Sequence, residues 1–559
     1  MEDPARALQS RLAIRTFQIT TDALLLRGHY KLGGKSGQKL ESALKTLSPE
    51  IYGTMNDPRS IELKGLEYVL DRLPRGIEAC NRVVLTAQED LQATSFELIQ
   101  PLKRRRLSYR VNEQEICFLI TRGASEIYDI LTHITFLYIE AKKIYHQMYT
   151  GEGVLKSEWE ELEKNVNQES ALSGTRLDEA IWHLSLLIGQ TYQETRATYE
   201  YLENSRKKAN ANSGLFRVVY CLGKLAEQDI AGQCELEVYF TPFLTQMILH
   251  QMHGRRWAER IKDEIFKLGL EGRPLHIISA NLHSVLTLLY GYGLIEKKDN
   301  QGKSLNICNF VREIRGKTAK ITKIAKKHGF YELPDTSGAQ IDCQIVDTSK
   351  LSPAMVLPQL KIGTDLTGDN APVILVMDYA FGFQAFELMD ELLRSETESG
   401  ANRPLNVESI SVMGKAGTLP GKKGDIMLPT AHVLEGIPHN YIVDNDLQPE
   451  DFDGSIDIHV GPLVTVLGTS LQNRDVLEKF QTTSWRAVGL EMEGGHYQRA
   501  ISAAIIRGHI SAKVKTRYAY YASDNPLRSG QTLASGSLGE EGVRPTYLIT
   551  KTILEKILN

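Results

Sequence analysis

The chain has 559 residues, too many for one hydrophobic core, so two or three domains are predicted. Its 65 Lys and Arg against 69 Asp and Glu leave a net charge of −4, which argues against wholesale nucleic-acid or membrane binding. Six dispersed cysteines without a C-x-x-C pair argue against a disulfide framework or a zinc site. Met1–Ala5 lacks the basic and apolar regions of a signal peptide, and no run of eighteen apolar residues occurs, so a soluble, cytoplasmic protein is expected.

From about residue 5 to 265 the sequence reads as helix. Leu66, Val69, Leu70 and Leu73 recur at helical spacing, as do Ile127, Ile130, Leu131, Ile134, Leu137 and Tyr138. Gly33–Gly37, Asp57–Pro58 and Ser173–Gly174 punctuate the run as turns. The prediction is an all-α helical bundle over residues 1–268. Within it Asp129 and His133, and Glu179 and His183, stand four apart and could face one core. They lack the Glu-x-x-His spacing of di-iron bundles, so satisfied polar pairs are the plainer reading and no metal site is predicted. Arg104–Arg106 reads as a solvated face, and so does the basic run from Arg312 to Lys327, where phosphate or partner contact stays open.

The character changes near Gly272–Pro274. Leu275–Ile278 is a short apolar run followed by a loop, Ser279–Ser284, and an apolar helix. Val373–Met377, the loop Asp378–Gly382 and the helix from Phe386 repeat that unit. Ser409–Met413, Ile426–Leu428, Val464–Leu467 and Tyr518–Tyr521 add strands, and Leu548–Ile557 closes with a helix. Strands alternating with helices predict an α/β domain over 269–559 with a mainly parallel sheet. In such sheets ligands bind at the carboxyl ends of the strands.

Three constellations fall at those ends. Gly414–Asp425 is glycine-rich but fails as a P-loop, because Ala416 takes the place of the first required glycine and Lys423 that of the Ser/Thr. It reads as a loop whose backbone N–H groups approach an anion or a sugar, with Lys415 as a point charge, or as a plain turn. Glu491 and Glu493 follow the apolar run Val488–Leu490 and precede a helix. They read either as helix capping or as a sugar site, since a carboxylate can accept from both vicinal hydroxyls of a ribose. Asp524, after Tyr520–Ser523 and before Asn525–Pro526, reads as an Asx-turn or as an acid whose pKa burial has raised.

Taken in order, Asp378–Met389, Val412–Ile426, Leu490–Gly494 and Ala522–Leu527 resemble the motifs of the nucleoside phosphorylase/nucleosidase superfamily. The resemblance is closest to AMP nucleosidase and to methylthioadenosine/S-adenosylhomocysteine nucleosidase, and covers residues 273–559. It implies a nucleoside-phosphorylase-like α/β sandwich and cleavage of the N-glycosidic bond of a purine nucleotide or nucleoside, AMP-like, by hydrolysis. Asp524 takes the place of the acid at purine N7, Glu493 that of the ribose-holding glutamate, and Met492 and Glu491 those of the sugar-facing methionine and first glutamate. Gly382, Gly414, Lys415 and Gly417 fall in its glycine loops, and Ser470 and Leu471 where nucleosidases stack the base. The first loop lacks the water-activating carboxylate of the small nucleosidases, so Asn281, His283 or Ser284 would have to substitute, with His283 taken as catalytic. Lys415, Lys422 and Arg528 are candidate phosphate contacts. No cofactor is implied; a homo-oligomer is. Phosphorolysis, or a non-catalytic nucleotide sensor whose helical half binds a partner, are the alternatives.

Overall fold

The computed structural model describes residues 4–103, 106–167, 172–295, 306–363, 366–396, 402–528 and 539–559. Arg104 and Arg105 lie outside the described residues. The chain forms two compact units, one running to His250 and including Ser470–Val476, the other Gln251–Thr469 with Leu477–Asn559.

The first unit is not all-α. A six-stranded sheet runs in the order β1-β6-β2-β5-β4-β3, built from β1 (His29–Lys31), β2 (Arg82–Thr86), β3 (Glu97–Ile99), β4 (Leu107–Asn112), β5 (Glu115–Leu119) and β6 (Glu237–Phe240). β2 lies parallel to both β5 and β6. The two central strands carry short apolar runs, Val83–Leu85 and Ile116–Leu119, which are buried throughout. Such runs lack the alternation that marks a half-buried strand, and periodicity alone cannot separate them from helix.

The expected helices are also present, the longest being Gly123–Met148 and α1 (Pro4–Arg27). The Asp129–His133 pair sits in the core of this unit and resolves as a polar network. Arg106, buried rather than solvated, donates to Asp129 at 2.7 Å, and Tyr52 Oη meets His133 Nδ1 at 3.2 Å.

The second unit is a three-layer α/β arrangement. Its strands are β7 (Leu275–Ser279), β8 (Phe330–Leu333), β9 (Cys343–Asp347), β10 (Val373–Met377), β11 (Val407–Thr418), β12 (Ile426–Leu434), β13 (Asn440–Ile442), β14 (Ile458–Thr465), β15 (Gly489–Glu491) and β16 (Lys515–Asp524). Helices Met252–Lys267, Gln384–Leu393 and Gly494–Ile506 cover one face. Leu282–Tyr290, Ile307–Ile314 and Val543–Leu558 cover the other. Burial on both faces explains why β10 is apolar at every position and β7 at three of its five.

The sheet is mixed, not mainly parallel. β7, β10, β11 and β16 run parallel, whereas β9 is antiparallel to β10, β15 to β11, and β12 to β16. Because β16 bonds to both β11 and β12, the strands β11-β16-β12-β14-β15 close into a five-stranded ring. Among the described residues no helix is long and apolar enough to cross a membrane.

Candidate active site

The carboxyl ends of β11 and β16 bring Gly417 opposite Asp524, and on its other side Gly417 pairs with Leu490 of β15. Asp524 and the Glu491–Glu493 turn therefore flank one strand, although about thirty residues separate them in sequence. A bulge between Ala416 and Gly417 leaves Ser523 out of the register, and its hydroxyl donates to Ala416 O at 3.2 Å and to the Asp524 carboxylate.

Asp524 is fully buried, and among the described residues its Oδ2 has no hydrogen-bond partner. Burial pushes its pKa above the ordinary carboxylate value, while the Ser523 hydroxyl and the charges of Lys415 and Lys423 pull the other way. The turn before Pro526 is made by its neighbour: Asn525 Oδ1 accepts from Leu527 N–H at 3.0 Å, and its Nδ2 donates to Leu419 O and Gly421 O. Asp524 is thus relieved of the Asx-turn role.

The two glutamates separate cleanly. Glu491 is buried and accepts from Thr465 Oγ1 at 2.5 Å, His432 Nδ1 at 3.2 Å and the backbone N–H groups of Glu493 and Gly494. Burial opposes its ionisation, but the bonds from His432, Thr465 and Gly494 outweigh that and hold its pKa below the ordinary value. A carboxylate so occupied anchors the turn and is not placed to take a ligand. The His432 hydrogen bond to a carboxylate requires Nδ1 to carry a proton, and Nε2 is buried and without a partner among the described residues.

Glu493 is half-buried and its Oε1 accepts from Gly382 N–H at 2.9 Å. Gly382 has φ +56, the left-handed conformation that lets the loop after β10 turn its N–H toward that carboxylate. The next residue, Phe383, packs edge-on against His496 with ring centroids 5.3 Å apart. Burial pushes the His496 pKa down to about 4. Met492 is buried beside the glutamates. Ser279 at the end of β7 shares a hydrogen bond of 2.9 Å with Tyr497.

The remaining predicted residues fare unevenly. Gly414 and Lys415 lie on β11 opposite Tyr520 and Tyr521, with Lys415 exposed. Asn281 caps the helix Leu282–Tyr290, accepting from Ser284 N–H at 2.8 Å. His283 Nδ1 is engaged by Tyr547 Oη at 3.0 Å. Lys422 pairs with Asp457 at 2.7 Å, and Arg528 is exposed. Ser470 and Leu471 are buried as part of the first unit. Sequence reasoning missed His432, Thr465 and Lys423; only the spacing of His496 three residues after Glu493 offered a signal. Among the described residues no group of three His, Cys, Asp or Glu side chains is placed to hold a metal ion.

Fold and site define a multidomain α/β protein with three carboxylates, Glu491, Glu493 and Asp524, at the strand ends of its second unit. The chain belongs to the family of unknown function DUF6909, whose model matches residues 38–301 and 305–559. No curated protein matches it. Among solved structures, it is similar to the 5'-methylthioadenosine/S-adenosyl homocysteine nucleosidase of Campylobacter jejuni, at 11% identity and a TM-score of 0.29 over 50% of this chain and 96% of that one. It is also similar to uridine phosphorylase isoform 2 of Schistosoma mansoni, at 12% identity and a TM-score of 0.32 over 52% and 88%. The Toxoplasma gondii purine nucleoside phosphorylase matches at 13% identity and a TM-score of 0.28 over 51% and 90%.

Proposed function

We propose that the second unit cleaves the N-glycosidic bond of a purine nucleotide or nucleoside, AMP-like, by hydrolysis. The observation that carries this reading is Asp524, whose buried Oδ2 has no partner among the described residues, one strand away from the glutamate turn. A carboxyl group whose pKa burial raises is suited to deliver its proton to the base nitrogen as the bond breaks. Glu493, oriented by Gly382 N–H, is the carboxylate for the ribose edge, where it also favours the positive charge that develops on the sugar. Glu491 is assigned a positioning role: with His432 and Thr465 it fixes the backbone from which Glu493 projects. Lys415 and Lys423, whose charges both reach Asp524, are the cations for a substrate phosphate, since Lys422 is paired.

A second reading has its own support. Asn281 is used as a helix cap and His283 is tied to Tyr547, and the first loop has no carboxylate to activate water, as a nucleotide-binding protein without turnover would have it. Incubation with AMP, adenosine and methylthioadenosine, with and without phosphate, decides between them. Adenine release without phosphate is expected. A strict phosphate requirement would move the reaction to phosphorolysis. Tight nucleotide binding with no product would leave the sensor.

A further inference from the structure

Helix α1 is apolar on two opposite sides. Ala7, Ile14, Phe17, Leu24 and Leu25 are buried in the first unit. Leu8, Leu12, Ile19 and Leu26 are 51, 52, 55 and 64% exposed. At 3.6 residues per turn these four fall within an arc of about 40°, nearly opposite the buried side, and run about 27 Å along the axis. The steps from 12 to 19 to 26 are heptads. A seam this narrow is the signature of helix-on-helix packing, whereas a helix lying in a lipid surface presents a far wider apolar face.

We propose that α1 pairs antiparallel with α1 of a second copy of this chain. An isologous pair about a two-fold axis midway along the stripe sets Leu8 of one copy against Leu26 of the other. Charge selects the direction. Arg15 flanks the stripe, with Asp22, one of whose oxygens accepts from Tyr128 Oη, farther along; a parallel pair would set Arg15 against itself, and an antiparallel one brings Arg15 within a turn of Asp22 of the second copy. The four side chains bury roughly 500 Å² of apolar surface across two copies. The stems of Arg11 and Arg15 and the neighbouring Gln18 and Ala23 bring the contact toward the ~1,000 Å² that a specific interface needs.

The test uses the full chain. Sedimentation velocity from about 1 to 100 μM compares the protein with a Leu12→Glu/Ile19→Glu variant. The variant is expected to have half the mass of the parent at the upper concentrations, with an unchanged near-UV spectrum because both side chains point away from the core. Equal mass in the two proteins overturns the proposal. So does a parent without self-association that floats with phosphatidylserine vesicles, which would make the stripe a lipid-binding face. A cross-linking arm keeps the question decidable if the charged variant unfolds. Leu8→Cys and Leu26→Cys proteins, mixed and oxidised, are expected to join to each other in preference to themselves; preferential self-joining overturns the antiparallel arrangement.

Discussion

Replacing Glu491 by Ala tests the claim that this residue is an anchor. The carboxylate is the shared acceptor for Thr465 Oγ1, His432 Nδ1 and the N–H groups of Glu493 and Gly494. Its removal orphans four donors, three of them buried and the Glu493 N–H part-buried. Each such group costs about 1–3 kcal/mol, and partial relaxation brings the total near the roughly 3–5 kcal/mol typical of breaking a buried charged network. With a urea slope of about 2–3 kcal/mol/M, the unfolding midpoint of the second unit moves down by roughly 1–2 M. Glu491→Gln keeps one acceptor oxygen and should lose about 1–3 kcal/mol.

The pH dependence supplies a second readout. Because the folded pKa of Glu491 lies below its ordinary value, the stabilisation is complete above that value and is lost as pH falls through the folded pKa. The gap between parent and Glu491→Gln should therefore close in acid. A Glu491→Ala midpoint within about 0.2 M of the parent at neutral pH would refute the anchoring role.

Four further outcomes are expected. Asp524→Asn should lower base release by about 10²–10⁴-fold with nucleotide affinity little changed, and should remove the alkaline limb along which kcat/KM falls as pH rises through the raised pKa of the acid. Gly494→Ala should fail to accumulate as folded protein in a thermal melt, because the added Cβ would lie 2.2 Å from His432 Cε1 and 2.6 Å from Tyr520 Oη, two rings that the packed core leaves no room to move. Asn473→Ala should destabilise the first unit by about 1–2 kcal/mol in urea titration, since its Nδ2 donates to Leu47 O at 2.8 Å and its Oδ1 accepts from Val476 N–H. His276, pushed down to about 4 by burial with Arg517 nearby, stays neutral in the fold while the unfolded chain protonates. Its share of stability, up to about 3 kcal/mol, is complete above pH ~6.5 and lost toward pH ~4, and His276→Asn should flatten that slope in melts across the range.

The α/β character of the second half was legible because β7 and β10 are each followed by a loop and an apolar helix, a unit that repeats in sequence. The sheet of the first unit was hidden for a physical reason: β2 and β5 are buried on both faces, so their apolar runs do not alternate. The site was legible in part. Asp524 and Glu493 announce themselves as acids at apolar strand ends. The difference between Glu491 and Glu493 does not, because it is made by Thr465 and His432, which stand 26 and 59 residues from Glu491 and reach it only when β12 and β14 join the ring. Leu471 stood where the resemblance puts a base-stacking residue, yet tertiary packing assigns it to the first unit.

That assignment has a consequence for how the chain is made. The first unit is complete only with Ser470–Val476, among which Asn473 bonds to Leu47 O and Gln472 O accepts from Glu50 N–H. Some 220 residues separate this piece from His250. At a synthesis rate of about 5–20 residues per second, the early-made part waits roughly 10–45 s for its last segment. During that interval the Leu47 carbonyl and the Glu50 N–H lack the partners that Asn473 and Gln472 bring. Domain-by-domain folding from the N-terminus is therefore interrupted by the order of the gene itself, and a fragment ending near residue 268 would carry that gap permanently.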